Sequence, residues 1–130
     1  MGKKKLILII DDDEDDRSIL SDAIGEVDSS CTCMQGIGGV EALERLMLAE
    51  LLPDLIFLDL NMPRMSGKEF LTKLKQDERF KNIPVIMYST SARKEDIDET
   101  KRQGAVCFLT KPVLFGDICR EISLLLNRDW

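Results

Sequence analysis

Leu6-Ile7-Leu8-Ile9-Ile10 is followed without a break by Asp11-Asp12-Asp13-Glu14-Asp15-Asp16, and the joint between these two runs decides the fold. Six consecutive like charges ordinarily repel one another into a solvated tail. An uninterrupted aliphatic run of this kind, however, suits a strand buried on both faces of a parallel sheet, which sets the acids at its carboxyl end. Open α/β sheets bind their ligands at that edge. Glu14, Asp15 and Asp16 suit the first turn of a following helix, where the dipole favours negative charge. Asp11 and Asp12 are left at the strand edge and repel each other unless a cation joins them. A hard divalent ion bound by oxygen, with magnesium the leading candidate, resolves the conflict.

Downstream the same alternation repeats. Ile19, Leu20, Ala23, Ile24 and Val27 recur at helical spacing, giving a helix over about 14–27, and residues 31–37 form a short strand bounded by turn residues. Gly36, Gly38 and Gly39 do not complete a dinucleotide loop, because Glu41 stands where the third glycine belongs. Val40, Leu43, Leu46, Met47 and Leu51 mark the inner face of a second helix closed by Pro53. Leu55-Ile56-Phe57-Leu58 is a second buried strand, and it too runs straight into an acid, Asp59. Ser66 and Glu69 make a capping box for a helix that turns Phe70, Leu71 and Leu74 inward. A strand over 85–89 ends in hydroxyls at Ser89, Thr90 and Ser91. The helix expected over 92–103 is nearly all charge, with only Ala92 and Ile97 as apolar anchors, so it should sit loosely on the sheet. Gly104 caps it in the left-handed conformation, a strand over 106–109 leads to Thr110-Lys111-Pro112, and a closing helix over about 114–127 presents Ile118, Cys119, Ile122, Leu125 and Leu126 to the core. Five strands alternating with five helices imply a parallel sheet covered on both faces.

Composition narrows the function. At 130 residues, 44% hydrophobic and 32% charged, the chain has the size and balance of one globular domain, and a single domain over residues 1–130 without an output domain is expected. A net charge of −6 argues against direct nucleic-acid binding, and the only basic cluster, Lys3-Lys4-Lys5, reads as a solvated terminus. No apolar run is long enough for membrane insertion, and no secretory signal precedes the first strand, so a cytoplasmic location is expected. Cys31, Cys33, Cys107 and Cys119 lack zinc-site spacing and read as reduced thiols. The chain contains no histidine, which excludes Ser-His and Cys-His catalytic pairs. Its chemistry must run on carboxylates, hydroxyls and lysine.

A parallel sheet gathers Asp11, Asp12, Asp59, Ser89 and Lys111 at one edge. Singly, each has a plain explanation: Asp59 capping a turn, Ser89 opening a helix, Lys111 exposed in a loop. Together, at the ends of four strands, they suit a metal-assisted transfer in which a carboxylate oxygen attacks phosphorus in line while Lys111 and Ser89 hold the equatorial oxygens. Asp59, alone at its strand tip, is the natural nucleophile, and Asp11 and Asp12 are the paired metal ligands.

At these residues the chain resembles the receiver domain of two-component response regulators. The resemblance runs from Ile9-Ile10-Asp11-Asp12-Asp13 through Leu58-Asp59-Leu60-Asn61-Met62-Pro63-Arg64-Met65-Ser66-Gly67 and Pro84-Val85-Ile86-Met87-Tyr88-Ser89 to Lys111-Pro112, essentially the whole chain. It implies an α/β, doubly wound, flavodoxin-like fold with a five-stranded parallel sheet of order 2-1-3-4-5. It further implies that Asp59 accepts a phosphoryl group from a phosphohistidine on a histidine kinase or phosphotransfer protein. Asp12 and Asp59 would bind Mg²⁺ directly, Asp11 through water and Asn61 through its backbone carbonyl. Ser89 matches the family's switch hydroxyl, Lys111 its phosphate-binding lysine and Phe108 its switch aromatic, although a core phenylalanine accounts for Phe108 equally well. A cis bond before Pro112 is implied too, and Asn61 and Ser91 fall where receivers tune phosphate loss. Such a protein is a stand-alone switch, not an enzyme acting on a separate substrate. It would signal to a downstream protein through its fourth helix, fifth strand and fifth helix. The alternative from another class is a Mg²⁺-dependent phosphohydrolase with an aspartyl-phosphate intermediate. Such enzymes want a second acid two residues after the nucleophile, where this chain has Asn61. A flavin carrier would need a phosphate-cradling loop where this chain has six acids.

Overall fold

The structure, a computed structural model, describes residues 5–130. Five strands alternate with five helices: β1 Leu6–Ile10, α1 Glu14–Val27, β2 Thr32–Gly36, α2 Gly39–Leu48, β3 Leu55–Leu58, α3 Gly67–Gln76, β4 Val85–Ser89, α4 Lys94–Arg102, β5 Cys107–Thr110 and α5 Phe115–Leu126. All strand pairings are parallel and the sheet order is β2-β1-β3-β4-β5. The aliphatic runs are continuous because both faces are covered, and the pleat divides them. Leu8 and Ile10 face a core shared with Ala42 and Leu46 of α2 and Phe70, Leu71 and Leu74 of α3. Ile7 and Ile9 face the opposite core, with Leu20, Ala23 and Ile24 of α1 and Ile118, Ile122 and Leu125 of α5. Each of the leucine, isoleucine and phenylalanine side chains among these, removed from water, contributes about 1.5–3 kcal/mol. The sheet is therefore fixed from both sides, and the loops at its carboxyl edge are the place where open α/β sheets bind ligands.

The acid run separates into distinct jobs. Asp11 accepts the Asp13 N–H at 2.9 Å, and Asp13 is the N-cap of α1, accepting from the Asp16 N–H at 3.0 Å. Glu14, Asp15 and Asp16 form the first turn, as dipole complementarity requires. At α3, Ser66 and Glu69 form the reciprocal capping box. Gly104 has φ +109° after α4, the left-handed cap the sequence indicates.

Several expectations are corrected. In α2 the buried residues are Gly39, Ala42 and Leu46, while Val40, Met47 and Leu51 are exposed. Small residues let this helix lie close to Gly36 and to the Met65 side chain, so the larger apolar groups flank the contact and do not fill it. Ile19 of α1 is exposed, and Arg17, only 8% exposed, occupies the inner face in its place. Its guanidinium is satisfied there, donating to the Asp11 carbonyl at 2.7 Å and to Gln35 Oε1 at 3.1 Å. Ala92 lies outside α4 and is exposed, and Thr100 is the buried residue of that helix. Polar ties hold α4 instead: Lys68 of α3 bridges Asp96 at 2.7 Å and Glu99 at 2.5 Å, and Gln103 donates to Thr72 at 3.2 Å. Among the described residues every peptide bond is trans, including the one before Pro112, contrary to what the resemblance implies. Lys3 and Lys4 of the basic cluster lie outside the described residues. Lys5 is not simply solvated, because its ammonium donates to the Leu126 carbonyl at 3.1 Å.

Candidate functional site

Strand register brings the tips together. Ile10 pairs with Leu58 and Leu58 with Met87, and the Asp59 N–H donates to the Ile10 carbonyl at 2.9 Å, fixing Asp59 beside Asp11. On the far side, β4 pairs with β5 and the Lys111 N–H donates to the Ser89 carbonyl at 2.7 Å. Behind Asp59, α3 starts so close that a Cβ on Gly67 would lie 2.3 Å from the Asp59 carbonyl oxygen. Only glycine fits there, and the Gly67 N–H donates to the Leu60 carbonyl at 2.8 Å. The loop between them turns at Arg64, whose φ of 66° goes with a Met65 N–H to Pro63 carbonyl bond of 2.7 Å.

Carboxylate oxygens of Asp11, Asp12 and Asp59 all lie within 4.8 Å of one another. Asp11 and Asp59 are 3% and 7% exposed, and Asp12 faces solvent. Burial pushes the Asp59 carboxyl up from 3.8 to about 6; Lys111 opposes the rise and the Asp11 and Asp12 charges add to it. The Lys111 ammonium is 2.8 Å from Asp11 Oδ2, 2.9 Å from Asp16 Oδ2 and 3.5 Å from Asp59 Oδ1. Burial works to lower its pKa, but the hydrogen bonds to Asp11 and Asp16 and the Asp59 charge together raise it, so the amine stays a cation. One lysine among several carboxylates leaves net negative charge at this rim. An all-oxygen donor set with that surplus fits a hard divalent cation, which would offset the cost of burying the Asp59 charge and, to a smaller extent, its repulsion by Asp11 and Asp12.

Ser89 is fully buried at the tip of β4, its oxygen accepting from the Ser91 N–H at 3.2 Å. Asn61 is exposed in the loop two residues past Asp59. Phe108 sits on β5 beside Met87, half-buried against the α2/α3 core, and it borders a cavity of about 200 Å³ lined also by Ile97, Thr100 and Ala105. Two residues near the site escaped the sequence reading. Tyr88, for which sequence offers no role, is buried edge-on to Phe57 with centroids 6.2 Å apart, and the Lys111 ammonium lies 5.4 Å from its ring centre. Burial raises the Tyr88 hydroxyl to about 12, so it remains protonated. Asp16 passes for a simple helix-dipole acid until the fold brings Lys111, 95 residues away in sequence, against it.

A five-stranded parallel sheet in this order, with acids and a lysine converging on its carboxyl rim, defines a class, and the comparisons with known proteins agree on it. The model of the response regulator receiver domain matches residues 7–123, and the chain belongs to that family. The chain is 33% identical over 111 residues to the two-component response regulator ARR3 of Arabidopsis thaliana, covering 85% of this chain and 48% of that protein. It spans less than two thirds of the length of the first of its curated relatives. The phosphorylated cyanobacterial phytochrome response regulator RcpA superposes with a TM-score of 0.86 at 27% identity, over 95% of this chain and 91% of that one. The Mn²⁺-bound form of response regulator Rcp1 superposes with a TM-score of 0.82 at 26% identity, over 93% and 91%. Among the described residues no helix is long and apolar enough to cross a membrane.

Proposed function

We propose that this receiver is a phosphoacceptor switch in which Asp59 takes a phosphoryl group from a phosphohistidine on a histidine kinase or phosphotransfer protein. The observation that carries the reading is Asp59 itself: a buried carboxylate, raised to about 6, held 3.5 Å from a lysine and clustered with two further acids. An Asp59 carboxylate oxygen attacks phosphorus as the P–N bond breaks. The bond's electron pair stays on the imidazole nitrogen, and an acyl phosphate is left on Asp59. Lys111 holds equatorial oxygens of the transferred group, and the Ser89 hydroxyl donates to it once drawn forward. Asp11, Asp12, Asp59 and the Asn61 carbonyl are the groups that would hold Mg²⁺, which when bound screens the attacking carboxylate from the incoming phosphate. The Mn²⁺-bound Rcp1 and the phosphorylated RcpA support both the ion and the modification by analogy.

The readout is a population shift, which needs a phosphoryl group to favour one arrangement by a few kcal/mol. Movement of Ser89 vacates room for Phe108, and the adjoining cavity of about 200 Å³ gives the ring somewhere to go. With only Thr100 buried, α4 can follow, presenting a changed α4-β5-α5 surface to a downstream protein. We assign its action to the cytoplasm, with which four free thiols agree. Phosphotransfer from a panel of autophosphorylated histidine kinases tests the proposal: label should pass to the wild-type chain and not to Asp59→Asn, and transfer that ignores the substitution would refute the assignment.

A further inference from the structure

Lys111 is shared in a way the transfer chemistry does not require. Its two hydrogen-bonded partners are Asp11 at 2.8 Å and Asp16 at 2.9 Å, while Asp59 stands farther off at 3.5 Å. Asp16 is not one of the three clustered acids, and it sits on the first turn of α1, whose backbone is fixed by the Asp13 cap. The two partners differ in what they lose if Lys111 leaves. The Asp11 side chain is 4% exposed and is poorly placed to exchange the ammonium for bulk water, whereas that of Asp16 is 37% exposed and rehydrates readily. A group newly attached to Asp59 that needs Lys111 therefore draws it from Asp16 and not from Asp11.

We propose, resting on the phosphoacceptor reading above, that Asp16 is a positioning residue that parks Lys111 against α1 in the unmodified protein and competes with the phosphoryl group for it. Asp16 then sets how strongly the modified state is held, without touching the modification itself. Freed of Asp16, Lys111 has Asp59 as its nearest remaining new partner, and the phosphoryl-bearing state gains what the ion pair with Asp16 had withheld. A partly exposed pair of this kind corresponds to roughly three- to fivefold in an equilibrium constant.

Two measurements test this. In a crystal structure of Asp16→Ala without phosphoryl donor, the Lys111 ammonium should move into hydrogen-bond contact with Asp59; a lysine that stays at its present separation overturns the proposal whatever Asp59 does. Beryllofluoride, a phosphoryl mimic, should bind with Mg²⁺ roughly three- to fivefold more tightly to Asp16→Ala than to wild type. Asp16→Glu, which keeps the acid, should restore wild-type affinity. Asp15→Ala removes the same charge from an exposed neighbour without an ion pair to Lys111, and should leave affinity unchanged. Equal gains in Asp15→Ala and Asp16→Ala would reduce the effect to general charge and sink the parking role alone. A wild-type protein that takes no beryllofluoride would sink the phosphoacceptor reading, and this proposal with it.

Discussion

Replacing Asp59 by Asn should stabilise the metal-free protein, even though it removes a partner of Lys111. The folded carboxyl is raised to about 6 against 3.8 when free, because burial outweighs the lysine 3.5 Å away. Below both values the acid is protonated in either state and contributes nothing. Between about pH 4 and 6 the unfolded chain releases this proton while the folded one keeps it, so stability falls as pH rises. Above pH 6 both forms are ionised and the full penalty persists, about 3 kcal/mol at most. An uncharged isostere escapes it. In chelator at pH 7.5, Asp59→Asn should melt higher than wild type by roughly 5–10 °C. The difference should shrink toward zero as pH is lowered to about 4, and saturating Mg²⁺ should narrow it by stabilising the wild type. Chemical or thermal denaturation of both proteins across that pH range is the assay. A variant less stable than wild type at pH 7.5, or a gap that widens toward acid, would refute the reasoning.

Mg²⁺ should raise the wild-type melting temperature, with a hundredfold excess over Kd giving about 2.7 kcal/mol, and Asp12→Asn should weaken that response; calorimetry with and without metal checks it. Gly67→Ala should destabilise by at least about 2 kcal/mol, because its Cβ would strike the Asp59 carbonyl oxygen and backbone cannot yield as a side chain can. Urea titration reads this directly. Lys68→Ala removes both ion pairs that tie α4 to α3, and amides of α4 should exchange about fivefold faster while those of β1 and β3 do not change.

How far the sequence could be read depended on whether a residue's role was local. The buried runs of β1, β3 and β4 and the Ser66–Glu69 capping box were legible because patterning and capping act over a few residues. Convergence of Asp11, Asp12, Asp59, Ser89 and Lys111 was legible for a topological reason: parallel strands put all their carboxyl ends on one edge. The inner face of α2 was not, because hydrophobicity marked Val40 and Met47 while close approach selected Gly39 and Ala42. Nor was the burial of Arg17, which depends on an Asp11 carbonyl and a Gln35 side chain supplied by the fold. The polar fastening of α4 and the Asp16–Lys111 pair are contacts between elements distant in sequence. No local pattern announces them.

Incubation with a small acyl phosphate and Mg²⁺, followed by intact mass and peptide mapping, tests the central claim most directly. One base-labile phosphoryl group, mapped to Asp59 and lost in Asp59→Asn, is the expected result. An unchanged mass in the presence of metal, or a phosphoryl group mapped to any other side chain, would contradict the account.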